Sequence, residues 1–170
     1  MKKMIESALL TVGVAVVAMC SVQAADCAAY LRFFGALNGR VELNVRGEVE
    51  HYDDYGRYLG KTRKQGQGNR HFYDDCGRYL GKAEPEHGGE SRFYDDVGRY
   101  LGRMAPENRG EMHYYDEIGR YLGKSESTGR GTTEYYDDYG RYRGKSVRDG
   151  HTVSYYDSYG RYLGKSEIDR

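Results

Sequence analysis

The stretch YYDDYGRYRGK, Tyr135 to Lys145, gathers adjacent carboxylates, two arginines, four tyrosines and two glycines. Three kinds of chemistry could use such a set: acid–base catalysis by paired carboxylates, calcium ligation, or stacking on a ligand. The stretch is one of six. HYDDYGRYLGK begins at His51, FYDDCGRYLGK at Phe72, FYDDVGRYLGR at Phe93, YYDEIGRYLGK at Tyr114 and YYDSYGRYLGK at Tyr155. Catalysis by two carboxylates needs one cleft and two different environments. Near-identical copies at a regular period are the opposite arrangement. Calcium loops place oxygen ligands at alternating positions, which DDYG does not. The histidines show no metal-ligand spacing. No GxSxG occurs, and neither Cys27 nor Cys76 has a thiol-protease context. The expectation is no catalytic residue, no metal and no cofactor.

A turn explains the motif better. Numbered 1 to 11, it has an aromatic residue or His at position 1, then Tyr-Asp, a variable pair, Gly-Arg-Tyr, a position that is Leu except at Arg143, Gly, and Lys or Arg. A three-residue hairpin loop at positions 4 to 6 needs glycine in its third place. The structural turn set is then Asp53, Gly56 and Arg57; Asp74, Gly77 and Arg78; Asp95, Gly98 and Arg99; Asp116, Gly119 and Arg120; Asp137, Gly140 and Arg141; Asp157, Gly160 and Arg161. In this register Asp faces Arg, Tyr faces Tyr, and position 1 faces position 9. Each cross-strand pair contributes roughly 0.2–1 kcal/mol. Spacer glycines and Asp149-Gly150 mark a second, looser turn per unit.

The expected fold is therefore all-β: tandem hairpins wound into a solenoid or spiral antiparallel ribbon, with a single-layer sheet as the alternative. The units span 51–165. The preceding segment, 25–50, reads as an N-terminal cap, because linear arrays need atypical ends, and the charged tail 166–170 blunts the other end.

The tyrosines of positions 2 and 8 are the candidate binding residues: Tyr52 and Tyr58, Tyr73 and Tyr79, Tyr94 and Tyr100, Tyr115 and Tyr121, Tyr136 and Tyr142, Tyr156 and Tyr162. Such rows can stack on sugars or grip a protein segment, with arginine adding cation–π contacts. The competing reading makes at least one row the packed core of the stack.

Residues 1–24 read as a signal peptide: Lys2 and Lys3, a short apolar run from Ala8 to Cys20, then Val22-Gln23-Ala24 before cleavage. The run is shorter than the roughly 20 apolar residues that span a bilayer. Removing Lys2, Lys3 and Glu6 from 26 basic and 26 acidic side chains leaves a net charge of about −1, with no basic surplus for nucleic acid. Export allows a disulfide between Cys27 and Cys76; the alternative for Cys76 is a small buried apolar residue.

The repeated YDxxGR, first met as Tyr52-Asp53 with Gly56-Arg57, resembles the YD repeat of the Rhs family of bacterial surface and toxin proteins. The resemblance covers about Glu50 to Lys165 and implies hairpins wound into a spiral sheet. In long members that sheet is a shell around a toxin domain, which six repeats are too few to form. The units also resemble choline-binding, cell-wall-binding repeats, though no tryptophan is present to build a choline cage. The reading for function is an exported, non-catalytic protein of the periplasm, cell surface or medium. It would bind a glycan, wall polymer or host matrix protein. The alternative is a structural spacer or self-assembling envelope element, associating through its strand edges.

Overall fold

A computed structural model describes residues 47–107 and 110–168. Each repeat forms one hairpin. The strands are β1 (Glu48–Asp53), β2 (Tyr58–Gln65), β3 (Asn69–Asp74), β4 (Tyr79–Pro85), β5 (Ser91–Asp95), β6 (Tyr100–Pro106), β7 (Glu111–Asp116), β8 (Tyr121–Gly129), β9 (Thr132–Asp137), β10 (Tyr142–Asp149), β11 (Thr152–Asp157) and β12 (Tyr162–Ile168). All neighbours are antiparallel, and β12 pairs with β1 to close a barrel. The expected solenoid or spiral ribbon is overturned by this closure, and so is the single-layer sheet.

The reason lies in the register. Asp74 faces Gly60, and Gly60 faces His51, so each repeat sits two residues along the strand from its predecessor. The same step occurs at the seam, where Asp53 faces Gly164 and Gly164 faces Tyr155. Six such steps match twelve strands. Equal strand number and shear correspond to a tilt of about 36°, and at that tilt the sheet returns to its own first strand. The ends expected to cap an array instead pair with each other: Val49 faces Ile168 and His51 faces Ser166. Of the sequence segments, the expected signal peptide and nearly all of the expected cap lie outside the described residues.

Position 10 is glycine for the same reason. A Cβ on Gly60 would lie 2.2 Å from the Tyr73 carbonyl oxygen, and one on Gly164 would lie 2.3 Å from that of Tyr52. Their φ angles are both +136°. The residue before the glycine is a bulge. Tyr52 faces Tyr58 but His51 faces Gly60, leaving Leu59 without a partner. Tyrosine thus does face tyrosine as expected, while position 1 faces position 10 and not position 9. The bulge resets the alternation so that positions 8 and 11 both point outward and positions 10 and 12 inward.

An eight-stranded barrel is just filled by its own side chains, so twelve strands need bulkier ones. Phe72, Phe93, Tyr114, Tyr135 and Tyr155 from position 1 supply them, with Met104, Met112 and Arg70. Position 12 is matched to position 1. Phe72 goes with Ala83 and Phe93 with Met104, both apolar. Tyr114, Tyr135 and Tyr155 hydrogen-bond the hydroxyls of Ser125, Ser146 and Ser166 at 2.7, 2.9 and 2.9 Å. His51 bonds Thr62 at 2.8 Å and, across the seam, Ser166 at 2.9 Å. Each ring that brings a polar atom inside meets a hydroxyl there, so burial leaves little desolvation cost.

Among the described residues no helix is long and apolar enough to cross a membrane. The outer wall carries ion pairs, Lys61–Glu48, Lys82–Glu84, Arg103–Glu90 and Lys165–Glu167. A barrel in lipid presents an apolar band there instead.

Candidate binding surface on the turn rim

All six tight turns lie at one end of the barrel and have one design. In the first, the Gly56 N–H donates to the Asp53 carbonyl at 3.1 Å and the Asp53 N–H to the Arg57 carbonyl at 3.0 Å. Gly56 has φ +77°, the glycine-favouring conformation that this loop requires. The Asp53 Oδ1 accepts from the N–H groups of Tyr55 and Arg57, at 2.9 and 2.8 Å, and Oδ2 accepts from Arg57 Nε at 2.6 Å. The other five aspartates repeat this, with Arg99 more loosely held at 3.9 Å from Asp95. Burial alone would raise the Asp53, Asp116, Asp137 and Asp157 carboxyls. The turn N–H groups and the adjacent guanidinium outweigh it and hold all four below the usual range. These carboxylates are structural clamps, and Arg143, the one departure from Leu, adds a second guanidinium to Asp137 at 2.8 Å.

The tyrosines of positions 2 and 8 sit on the outer wall just below the rim. They are half-buried or partly exposed and are packed against each other. Six edge-to-face pairs, Tyr52–Tyr58 through Tyr156–Tyr162, have centroids 5.8 or 5.9 Å apart. The basic residue of position 11 lies over the position 2 ring of the next repeat: Lys82 over Tyr94, Arg103 over Tyr115, Lys124 over Tyr136 and Lys145 over Tyr156, between 4.5 and 5.8 Å. Lys165 over Tyr52, at 5.4 Å, continues the belt through the seam. Tyr52 and Tyr136 donate to Glu50 and Glu134 at 2.6 and 2.8 Å; those bonds, with partial burial, push both phenols up to about 12. The structure thus places the candidate tyrosines together in one belt, with much of their ring surface engaged by neighbours.

The aromatic surface that stands clear is at position 5. Tyr55, Tyr139 and Tyr159 are 81%, 79% and 86% exposed, and Val97 and Ile118 are 74% and 71% exposed. Sequence reasoning treated position 5 as a variable loop place and missed it. The signal was there: a turn tip that is never polar, reading Tyr, Cys, Val, Ile, Tyr, Tyr. Arg57, Arg141 and Arg161 each lie beside the tip tyrosine of their own turn, at 5.5, 5.0 and 5.7 Å from the ring centroid. Because the barrel closes, the fifth, sixth and first repeats are neighbours, and Tyr139, Tyr159 and Tyr55 form one arc. Cys76 is also an exposed tip residue, which corrects its reading as a buried apolar residue. Cys27, its expected partner, lies outside the described residues. The Asp74, Asp75 and Cys76 side chains approach one another, but Asp74 is already bonded by the Cys76 and Arg78 N–H groups and by Arg78 Nε.

No family model matches the chain, and no curated protein matches it.

Proposed function

We propose that this is an exported, non-catalytic binding protein of the bacterial envelope or surface, taking a glycan, wall polymer or host matrix protein on the aromatic arc of its turn rim. The observation that carries the proposal is the exposure of Tyr55, Tyr139 and Tyr159 on three neighbouring turns, each held rigid by an Asp/Arg clamp. Exposed aromatic residues at fixed positions give contact area at low entropic cost. The tyrosine belt lies below the tips, its rings engaged with one another and with Lys or Arg. The alternative of assembly through open strand edges loses its means, since β1 and β12 cover each other.

Glycan and matrix-protein arrays probed with the secreted chain and with a Tyr55→Ala/Tyr139→Ala/Tyr159→Ala variant test the proposal. Array signals lost in the variant support it. Signals that are absent, or identical in both proteins, overturn it. Mass spectrometry of the exported form checks the expected start of the mature chain at Ala25.

A further inference from the structure

The charges on the aromatic arc are of two kinds. Arg57, Arg141 and Arg161 are each tied through Nε to the aspartate of their own turn, and Arg143 is tied to Asp137 as well. The carboxylates of Asp54 and Asp138 are exposed and make no ion pair among the described residues. They stand next to Tyr55 and Tyr139 on the same turns. The free charge of the arc is therefore negative, and it alternates with aromatic rings.

The molecule repeatedly uses one pairing for such rings. A lysine or arginine covers the position 2 tyrosine at the seam and at four other joints, and an arginine flanks each tip tyrosine. A flanking arginine takes one side of a tip ring, and at 79% exposure or more the remainder faces solvent. A cation arriving there meets a π-face and a carboxylate together. A second copy docking rim to rim would oppose like charges, because five of the six turns carry two carboxylates and only the fifth, through Arg143, brings a second guanidinium.

The register also sets the reach. Neighbouring tips are two strand spacings across and two residues along, about 12 Å apart, so the arc spans about 24 Å. An extended polypeptide covers that in about eight residues.

Resting on the proposed rim surface, we infer that its ligand is an extended basic segment of polypeptide. Its lysines and arginines would sit on the outer sides of Tyr55, Tyr139 and Tyr159 and pair with Asp54 and Asp138. Titration calorimetry of the secreted chain tests this with three synthetic probes. One is a lysine- and arginine-rich peptide of about twelve residues, one an acidic peptide of equal length, and one a basic peptide of about three residues. The long basic peptide is expected to bind, the acidic one not, and the short one at least tenfold more weakly. Tyr159→Ala should weaken the long peptide about tenfold. Asp54→Asn/Asp138→Asn should weaken it similarly and flatten its salt dependence. Ile118→Ala, on the opposite arc, should leave it unchanged. No binding of the basic peptide, or binding indifferent to the tip and carboxylate substitutions, overturns the inference. If array signals for a glycan still depend on the tip tyrosines, the rim surface stands and only the ligand class falls. Loss of both removes the rim reading as well.

Discussion

The barrel has two halves built on one skeleton. In the second to fourth repeats the interior is dominated by one apolar cluster, Phe72, Ala83, Phe93, Leu101, Met104 and Met112, with Arg70 and Ser91 buried in the same half, and the turn tips are Cys76, Val97 and Ile118. In the fifth, sixth and first repeats hydroxyl and imidazole pairs, Tyr135–Ser146 and the linked set Tyr155–Ser166–His51–Thr62, line the interior beside a smaller apolar cluster of Val49, Val153 and Ile168, and the tips are tyrosines. Turn clamps, joint glycines and outer tyrosine pairs are the same in both. The skeleton therefore does not depend on what fills it, which leaves the inward and tip positions free to diverge. The fourth repeat is the transition, with an aliphatic tip over a Tyr114–Ser125 pair.

The strongest way to break the comparison is at the shared skeleton. Gly102→Ala in the apolar half and Gly164→Ala at the seam place a Cβ 2.3 Å from a carbonyl oxygen at a positive φ. Both should lose more than about 3 kcal/mol by chemical denaturation, or fail to fold. A large effect at one site and a small one at the other would show that the seam is not an ordinary joint. Next comes the filling. Phe93→Ala should lose about 3–5 kcal/mol, as buried aromatic truncations do. Tyr135→Phe, which removes only the hydroxyl facing Ser146, should lose about 1 kcal/mol.

Acid should act on the polar half first. Burial pushes the His51 imidazole down to about 3. The unfolded chain, with an ordinary histidine value near 6.5, binds the proton more readily. Stability is then complete above about pH 6.5 and falls as the pH drops toward 3, by up to about 1.4 kcal/mol per unit. The depressed turn aspartates add their own loss only below about pH 4, and partial burial, with Lys82 nearby, lowers His71 as well; urea titrations between about pH 4.5 and 6.5 in a His71→Gln background therefore isolate His51. His51→Phe with Thr62→Ala, the pairing of the second repeat, should flatten that slope. The smallest effect is an exchange between halves. Phe72→Tyr with Ala83→Ser installs the polar pair in the apolar cluster, and a double-mutant cycle should return a favourable coupling of about 1 kcal/mol.

Much of this was legible from residue types at fixed offsets. Asp53, Gly56 and Arg57 specify their turn locally, and Tyr52 opposite Tyr58 follows once the turn is placed. Closure was not legible, because it depends on a two-residue offset summed around six repeats. That offset comes from the Leu59 bulge and the Gly60–Asp74 contact, neither of which a local hairpin pattern reveals. The matching of positions 1 and 12 was written in the chain, as Phe with Ala or Met and Tyr with Ser. It reads as noise until the barrel shows that both positions point inward. The tip residues were passed over because an apolar loop place has no periodic neighbour to identify it.

The seam makes the chain's order a matter of convention. Since the joint between β12 and β1 repeats the strand register of every other joint, a linker from Ile168 to Val49 and new ends cut in any looser spacer turn should give a circular permutant with the same barrel. Six points of entry would then lead to one molecule, differing only in which joint is left uncovalent.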